Sequence, residues 1–393
     1  MSASGATSPG SAARRVCITG LGMTTAAGRG VAANEAALRE CRSGLGPLRR
    51  FRSPRCGHLP VAEVEETGAP RTVALAMGAL REALAMAAPP RLRDAGLAVG
   101  TTVGGMPESE AALDGILLGR EVGSEVWDRH PCGHTTRSLA EGCGLEGPAL
   151  TLSTACSSGA EAIATAAELV AAGDAEIMVA GGVDALCRMT LNGFASLLVV
   201  DPEGCRPFDV ARMGMSLGEG AAFVVLEAEE RVRARGGEIL ARFAGSGNSC
   251  DAHHATAPDP EGRGAEAAMR LALERAALGP SRIDYVNAHG TGTPDNDRAE
   301  GRAILRVFGA SPPPVSSTKR VFGHALGAAG AIEAVACVLA LRGSFLPGTP
   351  GFATPDPDCG IVPLRTSVAS RPRAVLSNSF GFGGNNTVLC FTA

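Results

Sequence analysis

Twelve cysteines are spread along the 393 residues, and one of them sits in an unusual place. Cys156 lies in "TLSTACSSGAEA", between a segment that alternates like a β-strand and one that reads as a helix. The first turn of a helix leaves backbone N–H groups without intrahelical partners, and the aligned peptide dipoles add partial positive charge. A thiolate is stabilised there, so the position predicts a lowered pKa and a nucleophile. Ser157, Ser158 and Gly159 leave room for an incoming carbonyl. Position alone leaves a second reading open, that Cys156 is a small buried residue like most cysteines.

Candidate partners come from three later loops. "NAHGTGTPDND" puts His289 at the end of a predicted strand, and "SSTKRVFGHALGAAGAIEA" puts His324 before a long apolar helix, five residues after Lys319. "NSFGFGGNN" adds a glycine loop near the C-terminus. A thiol at a helix start with two imidazoles on small-residue loops makes a better constellation for nucleophilic catalysis than any one of them alone. A metal site is the rival use of Cys and His. No two cysteines have C-x-x-C spacing, and "DAHH" (251–254), the one dense cluster, lacks two further ligands nearby.

The elements that must hold these loops alternate. "RRVCITGLG" reads as a first buried strand; its glycines invite a dinucleotide site, but Thr25 occupies the third glycine position of that fingerprint. Helices are predicted over 71–87, 157–174 (ended by Gly173), 261–279 and 323–343; 95–105 reads as strand then turn, 175–185 as strand, 220–230 as strand into a charged segment and 282–293 as strand into loop. "AVLSNSFGFGGNNTVLCFT" reads as a terminal hairpin. Strands alternating with helices predict a layered α/β fold. The charged "EAEERVRARGGE" (227–238) marks the boundary after which the order of elements restarts, giving halves at 14–234 and 235–393 behind a loose polar tail, 1–13.

Composition narrows the function class. At 45% hydrophobic and 19% charged, the chain reads as an ordinary globular protein. Its net charge of −4 gives no overall case for nucleic acid or anionic lipid, although 36 Lys and Arg leave a local basic patch open. No signal peptide or membrane span is read, so a cytoplasmic location with reduced thiols is expected.

"TACSSG", "NAHGTGTP", "STKRVFGHALGAAGAIE", "NSFGFGGNN" and "CRPFDVARMGMSLGEGAAFVVLE" stand in the order found in the elongating β-ketoacyl-[acyl-carrier-protein] synthases of the thiolase superfamily, which this chain resembles from about residue 14 to its end. The resemblance implies a thiolase-like fold of two βαβ-rich halves in five α-β-α-β-α layers. It implies decarboxylative Claisen condensation: Cys156 takes an acyl group from an acyl carrier protein, and malonyl carrier protein then loses carbon dioxide and attacks it. By the same resemblance His289 and His324 stabilise the enolate, Lys319 supplies charge beside them, and the backbone N–H groups of Cys156 and Phe382 form the oxyanion hole. Glu333 and Asn386 are supporting residues. Thr291 and Thr293 bind the phosphopantetheine amides, Phe382 gates the acyl tunnel, and Val103 and Phe194 line it. No metal and no resident cofactor are implied, since the phosphopantetheine arm belongs to the carrier.

The chain departs from the pattern at "RMGMS", where Met213 replaces an acidic residue and puts an ion pair in doubt, at Asp295, and at Asn385, which replaces a threonine. The compact stretch from "GGVDALCRMTLNGFASL" to "CRPFD" is most similar to bacterial aryl-polyene and related polyene synthases; housekeeping fatty-acid elongation is the alternative. A homodimer, or a heterodimer with a chain-length-factor homologue, is implied. A non-catalytic chain-length factor is disfavoured because such partners usually lack the nucleophile.

Overall fold

The structure, a computed structural model, describes residues 14–393; the expected tail, 1–13, lies outside them. The first half contributes β1 (Val16–Thr25), β2 (Gly96–Gly100), β3 (Ala149–Leu152), β4 (Ile177–Asp184) and β5 (Gly220–Ala228). The second contributes β6 (Ala241–Cys250), β7 (Tyr285–Asn287), β8 (Val315–Ser316), β9 (Ala374–Gly381) and β10 (Asn385–Thr392). The helices that matter below are α1 (Arg71–Ala87), α2 (Met106–Leu117), α3 (Cys132–Cys143), α4 (Ser158–Ala172), α5 (Arg188–Ser196), α6 (Arg263–Arg275), α7 (Pro294–Phe308) and α8 (Ala329–Gly343).

The hydrogen-bonded order is β3-β2-β4-β5-β1-β6-β10-β9-β7-β8. Counted within its own half from the outer edge inward, each set of five reads 3-2-4-5-1. The halves are two copies of one topology, joined edge to edge where Val16–Ile18 pair with Ala241–Phe243. α1 and α3 cover the outer face of the first half, α6 and α7 that of the second, and α4 and α8 pack against each other between them. The five layers implied by the resemblance are present. The terminal hairpin is also formed, with Gly381 paired to Asn385 across its turn, and Gly173 ends α4 at φ 85°.

The middle layer explains the apolar, small-residue helices. Every residue of α8 from Ala329 to Leu341 is buried. α4 and α8 approach closely because glycine stands at the crossing: a Cβ on Gly159 would lie 2.8 Å from the Gly327 carbonyl oxygen, and one on Gly330 2.8 Å from the Ala160 Cβ. One segment bears on the reading of no membrane span. Leu326–Gly343 is 18 residues long with a mean hydropathy of 1.6, long and apolar enough by composition to cross a membrane. It is 89% buried inside the protein, and both halves of the sheet supply the apolar surroundings that a bilayer would otherwise provide.

Candidate active site

The duplicated topology brings the loops together. In each half, the strand at the outer edge leads to a tight turn and then to a central helix. Ala155–Ser157 forms that turn before α4, and Leu326–Ala328 forms it before α8. Both turns open on a residue in the left-handed region, Ala155 at φ 55° and Leu326 at φ 49°. Such a bend costs an L-residue about 1 kcal/mol and is held by the packing around it. The first bend presents Cys156; the second follows His324. The Cys156 Sγ lies 3.1 Å from His324 Nε2 although 168 residues separate them. The His289 and His324 rings meet edge to face with centroids 5.4 Å apart.

These three residues form the floor of a cleft of about 400 Å³. Thr291 and Thr293 stand on its wall with their hydroxyls 2.9 Å apart, next to Asp295. Phe382 and Asn386 also line it. Phe194 stacks on Phe382 at 5.4 Å, and the two rings line a second, apolar hollow, so Phe382 is a wall shared by both spaces. Val103 lies outside the cleft lining, in the apolar cluster with Leu186, Leu191 and Met215, against which Phe194 packs.

Lys319 is buried, and its Nζ donates to the His289 carbonyl oxygen at 2.7 Å and to Glu333, while lying 3.5 Å from His289 Nδ1. An ammonium facing Nδ1 favours a lone pair there and places the His289 proton on Nε2. Burial, then the Lys319 charge, hold His289 and His324 well below the ordinary imidazole range, so both rings are neutral. Burial pushes Glu333 up to about 7 against the pull of Lys319.

The predicted lowering of the Cys156 pKa is overturned. Burial pushes the thiol up to about 11, and the Lys319 charge and the Phe382 backbone N–H only partly offset it. The reasoning from the helix start omitted desolvation, which dominates for a side chain 5% exposed. The resting residue is a thiol beside a neutral imidazole that can accept its proton. The Phe382 N–H reaches the sulfur, and the Cys156 nitrogen, on a turn residue with no earlier helical carbonyl to bind, shares a corner with Gly381. A Cβ on Gly381 would lie 3.0 Å from the Cys156 nitrogen, so glycine keeps that corner open. Asn386 fastens the loop by donating to Asp251 Oδ1 at 2.7 Å and to the Gly384 carbonyl at 3.1 Å.

The N-terminal and C-terminal domain models of β-ketoacyl synthase match residues 13–231 and 240–353. The chain belongs to the β-ketoacyl synthase family. Nodulation protein E of Rhizobium meliloti (strain 1021) is 37% identical over 96% of this synthase and 99% of its own length. The 3-oxoacyl-[acyl-carrier-protein] synthase 2 of Coxiella burnetii is also 37% identical, over 96% and 98%. Among solved structures, the ishigamide ketosynthase/chain length factor superposes with a TM-score of 0.92 at 35% identity, covering 97% of this synthase and 100% of that chain. A type II polyketide ketosynthase bound to its acyl-carrier protein, AntDE:AntF, also gives 0.92, at 28% identity over 97% and 100%. The activity is that of a condensing acyltransferase, β-ketoacyl synthesis.

One Cys156 sulfur and one ring nitrogen each from His289 and His324 lie within 4.8 Å of one another, a donor set that resembles zinc ligands by element. The Lys319 charge at His289 and the raised Cys156 thiol both oppose a dication there. The "DAHH" loop has a turn role instead: His254 Nδ1 accepts from the Thr256 and Ala257 backbone N–H groups at 3.1 and 3.2 Å. Arg212 keeps its ion pairs despite the departure at Met213, reaching Asp356 at 2.5 Å and Asp297 at 3.6 Å.

Two supporting residues escaped the sequence reading. Glu300 accepts from the His289 and Gly290 backbone N–H groups, both at 2.8 Å, and from Asn378 Nδ2 at 3.0 Å. Its signal was present: Asp297 and Glu300 share a face of α7 with the buried Ile304 and Val307, and carboxylates on an apolar stripe need partners. Asp184, buried at the end of β4, accepts from Thr101, Thr102 and Val103 and, at 2.7 Å, from the Gly327 N–H of the other half. Nothing in "AGGVDALC" marks it, because its donors arrive from two distant segments.

Proposed function

We propose that the chain elongates a Cys156-bound acyl chain with malonyl carrier protein, releasing carbon dioxide and a β-ketoacyl carrier protein. The observation that carries the assignment of roles is the meeting of Cys156, His324 and His289 on the floor of a cleft whose wall holds Thr291 and Thr293. In the first half-reaction Cys156 Sγ attacks the carrier thioester, its proton passes to His324 Nε2, and the carbonyl oxygen gains charge facing the N–H groups of Cys156 and Phe382. Collapse breaks the old C–S bond, and the departing pantetheine sulfur takes the proton.

In the second half-reaction the malonyl carboxylate leaves as carbon dioxide, and its electron pair forms an enolate whose oxygen is held by Nε2–H of both histidines. The enolate carbon then attacks the acyl-cysteine, and Cys156 is released. The His324 Nδ1 is buried without a partner among the described residues, so its tautomer is not pinned. That freedom suits a ring that accepts at Nε2 in one step and donates there in the next. Lys319 and Glu333 form the charged support, Asn386 holds the glycine loop, and the reaction needs no cofactor beyond the carrier's own arm.

Cys156→Ala abolishes acylation and condensation in this reading. Cys156→Gln still releases carbon dioxide from malonyl carrier protein without condensing, and His289→Ala and His324→Ala acylate but lose decarboxylation. Elongation by the Cys156→Ala variant would overturn the assignment.

The compact segment from 181 to 209 supports polyene-type chains as substrates. Intact-mass analysis of acyl-enzyme formed from saturated and polyunsaturated acyl carriers tests this, and equal loading would count against it. A homodimer or a heterodimer with a chain-length-factor homologue is supported by β3, which stands at an outer sheet edge, and by the exposed Leu113, Leu117, Leu118 and Trp127. An active monomer by light scattering would refute it.

A further inference from the structure

The bend that presents Cys156 is gripped by the two serines that follow it. Small residues after a nucleophile suggest clearance for a substrate, but Ser157 and Ser158 are fully buried, and neither lines the cysteine cleft. Ser157 stands at the N-cap of α4, where a serine hydroxyl ordinarily accepts from the N–H groups of the first turn. It makes no such bond. It turns back instead, donating to the Thr154 carbonyl oxygen at 2.8 Å and lying 3.0 Å from Thr154 Oγ1. Ser158 Oγ donates to the Ala155 carbonyl oxygen at 2.6 Å and accepts from the Thr154 backbone N–H at 2.9 Å.

These bonds fall on the two peptide planes that flank Ala155, the residue at φ 55°. Ser157 holds the carbonyl of the plane before it, and Ser158 the carbonyl of the plane after it. The second plane also carries the Cys156 N–H. A trans peptide is flat, with its C=O and N–H on opposite sides, so an anchored Ala155 oxygen fixes the Cys156 N–H pointing away from Ser158. The anchor is rigid: the Ser158 backbone N–H donates to the same oxygen, and a Cβ on Gly100 would lie 2.3 Å from the Ser158 carbonyl carbon, so β2 packs directly on it. The pseudo-equivalent turn is an internal control. It bends through Leu326 at φ 49° with Ala328 and Ala329 where Ser157 and Ser158 stand, so the bend itself needs no hydroxyls. Gly327 occupies the place of Cys156 there, and its N–H is taken up by Asp184 at 2.7 Å.

We infer that Ser158, backed by Ser157, is a positioning residue of acyl transfer: its hydroxyl aims the Cys156 N–H at the thioester oxygen while the sulfur faces His324. The inference rests on the acyl-transfer reading of Cys156. Neither serine touches the substrate; both act through the peptide that carries the oxyanion donor.

The test uses the whole enzyme with Ser158→Ala. Ser157→Ala, which loosens the plane before Ala155, is the second variant and carries the test should the first not fold. Three rates are measured: acyl-enzyme formation from an acyl carrier protein by intact mass, iodoacetamide alkylation of Cys156 by peptide mass, and carbon dioxide release from malonyl carrier protein in a Cys156→Gln background. Acylation builds an oxyanion and alkylation does not. Ser158→Ala should therefore slow acylation about 10- to 100-fold at saturating carrier while alkylation stays within about threefold, and Ser157→Ala should show the same split at about three- to tenfold. Carbon dioxide release reads the rest of the cleft and should stay within about threefold. Equal slowing of acylation and alkylation, unchanged acylation, or a matching loss of carbon dioxide release overturns the positioning role. A parent enzyme whose Cys156 is alkylated but never acylated would instead overturn the acyl-transfer reading.

Discussion

Glu300→Gln is the sharpest probe of how the second half-reaction is held in place. Both Glu300 oxygens are committed: Oε1 to the His289 N–H and Asn378, Oε2 to the Gly290 N–H. The amide keeps the shape but turns one oxygen into a donor, so at least one backbone N–H of the His289 turn loses its acceptor. A hydrogen bond to a charged group is worth about 1.5–3 kcal/mol. If that loss falls on the position of His289 in the decarboxylation transition state, carbon dioxide release drops about 10- to 100-fold. Acylation of Cys156 uses other groups and should stay within about threefold. Stopped-flow carbon dioxide detection and intact-mass measurement of acyl-enzyme read the two steps separately.

The same variant has a pH signature. Burial pushes Glu300 up to about 7 against the pull of the Gly290, Asn378 and His289 donors. Protonation below that value removes an acceptor from the turn, so decarboxylation should fall as pH drops through about 7, and Glu300→Gln should lack that limb. Stability runs the other way. A carboxyl whose folded pKa is raised favours the fold below its ordinary value of about 4.3 and loses that contribution as pH rises through the folded value. A limb that survives in Glu300→Gln belongs to Glu333, also raised to about 7. Equal loss of both steps, or unchanged carbon dioxide release, would refute the positioning argument.

Three further outcomes follow from the geometry. With Cys156 raised to about 11, its alkylation by iodoacetamide should climb about tenfold per pH unit from pH 7 to 9; a plateau below pH 8 would show a resting thiolate. Asp184→Asn leaves at least two of the donors from Thr101, Thr102, Val103 and Gly327 without an acceptor, and should cost about 2–5 kcal/mol by guanidinium unfolding; a loss under about 1 kcal/mol would contradict that count. Gly159→Val drives a side chain toward the Gly327 carbonyl and Ala331, and should destabilise by about 1–3 kcal/mol or more; an unshifted unfolding midpoint would mean that α4 and α8 can part freely.

Residue type and local order offered a candidate nucleophile and its partners, and the resemblance of whole motifs named the reaction that the family models bear out. Cys156, His289, Lys319, His324 and the loop around Phe382 each sit where a predicted strand meets a glycine-rich or small-residue turn, and turn chemistry is local. The apolar, small-residue character of 157–174 and 323–343 likewise announced two buried helices, which form over Ser158–Ala172 and Ala329–Gly343. The duplication was visible as a restart of elements, but only the 3-2-4-5-1 order in both halves made it a symmetry. Tertiary structure alone decided the distances: the 3.1 Å contact of Cys156 with His324 exists because two pseudo-equivalent turns converge across the crossing of α4 and α8. It also reversed the sign of the Cys156 shift, since desolvation depends on everything packed around the sulfur and not on the helix start beside it. Glu300 and Asp184 were settled at the same level. Their roles lie in which backbone N–H groups reach them from distant segments, and a sequence lists donors without saying where they point.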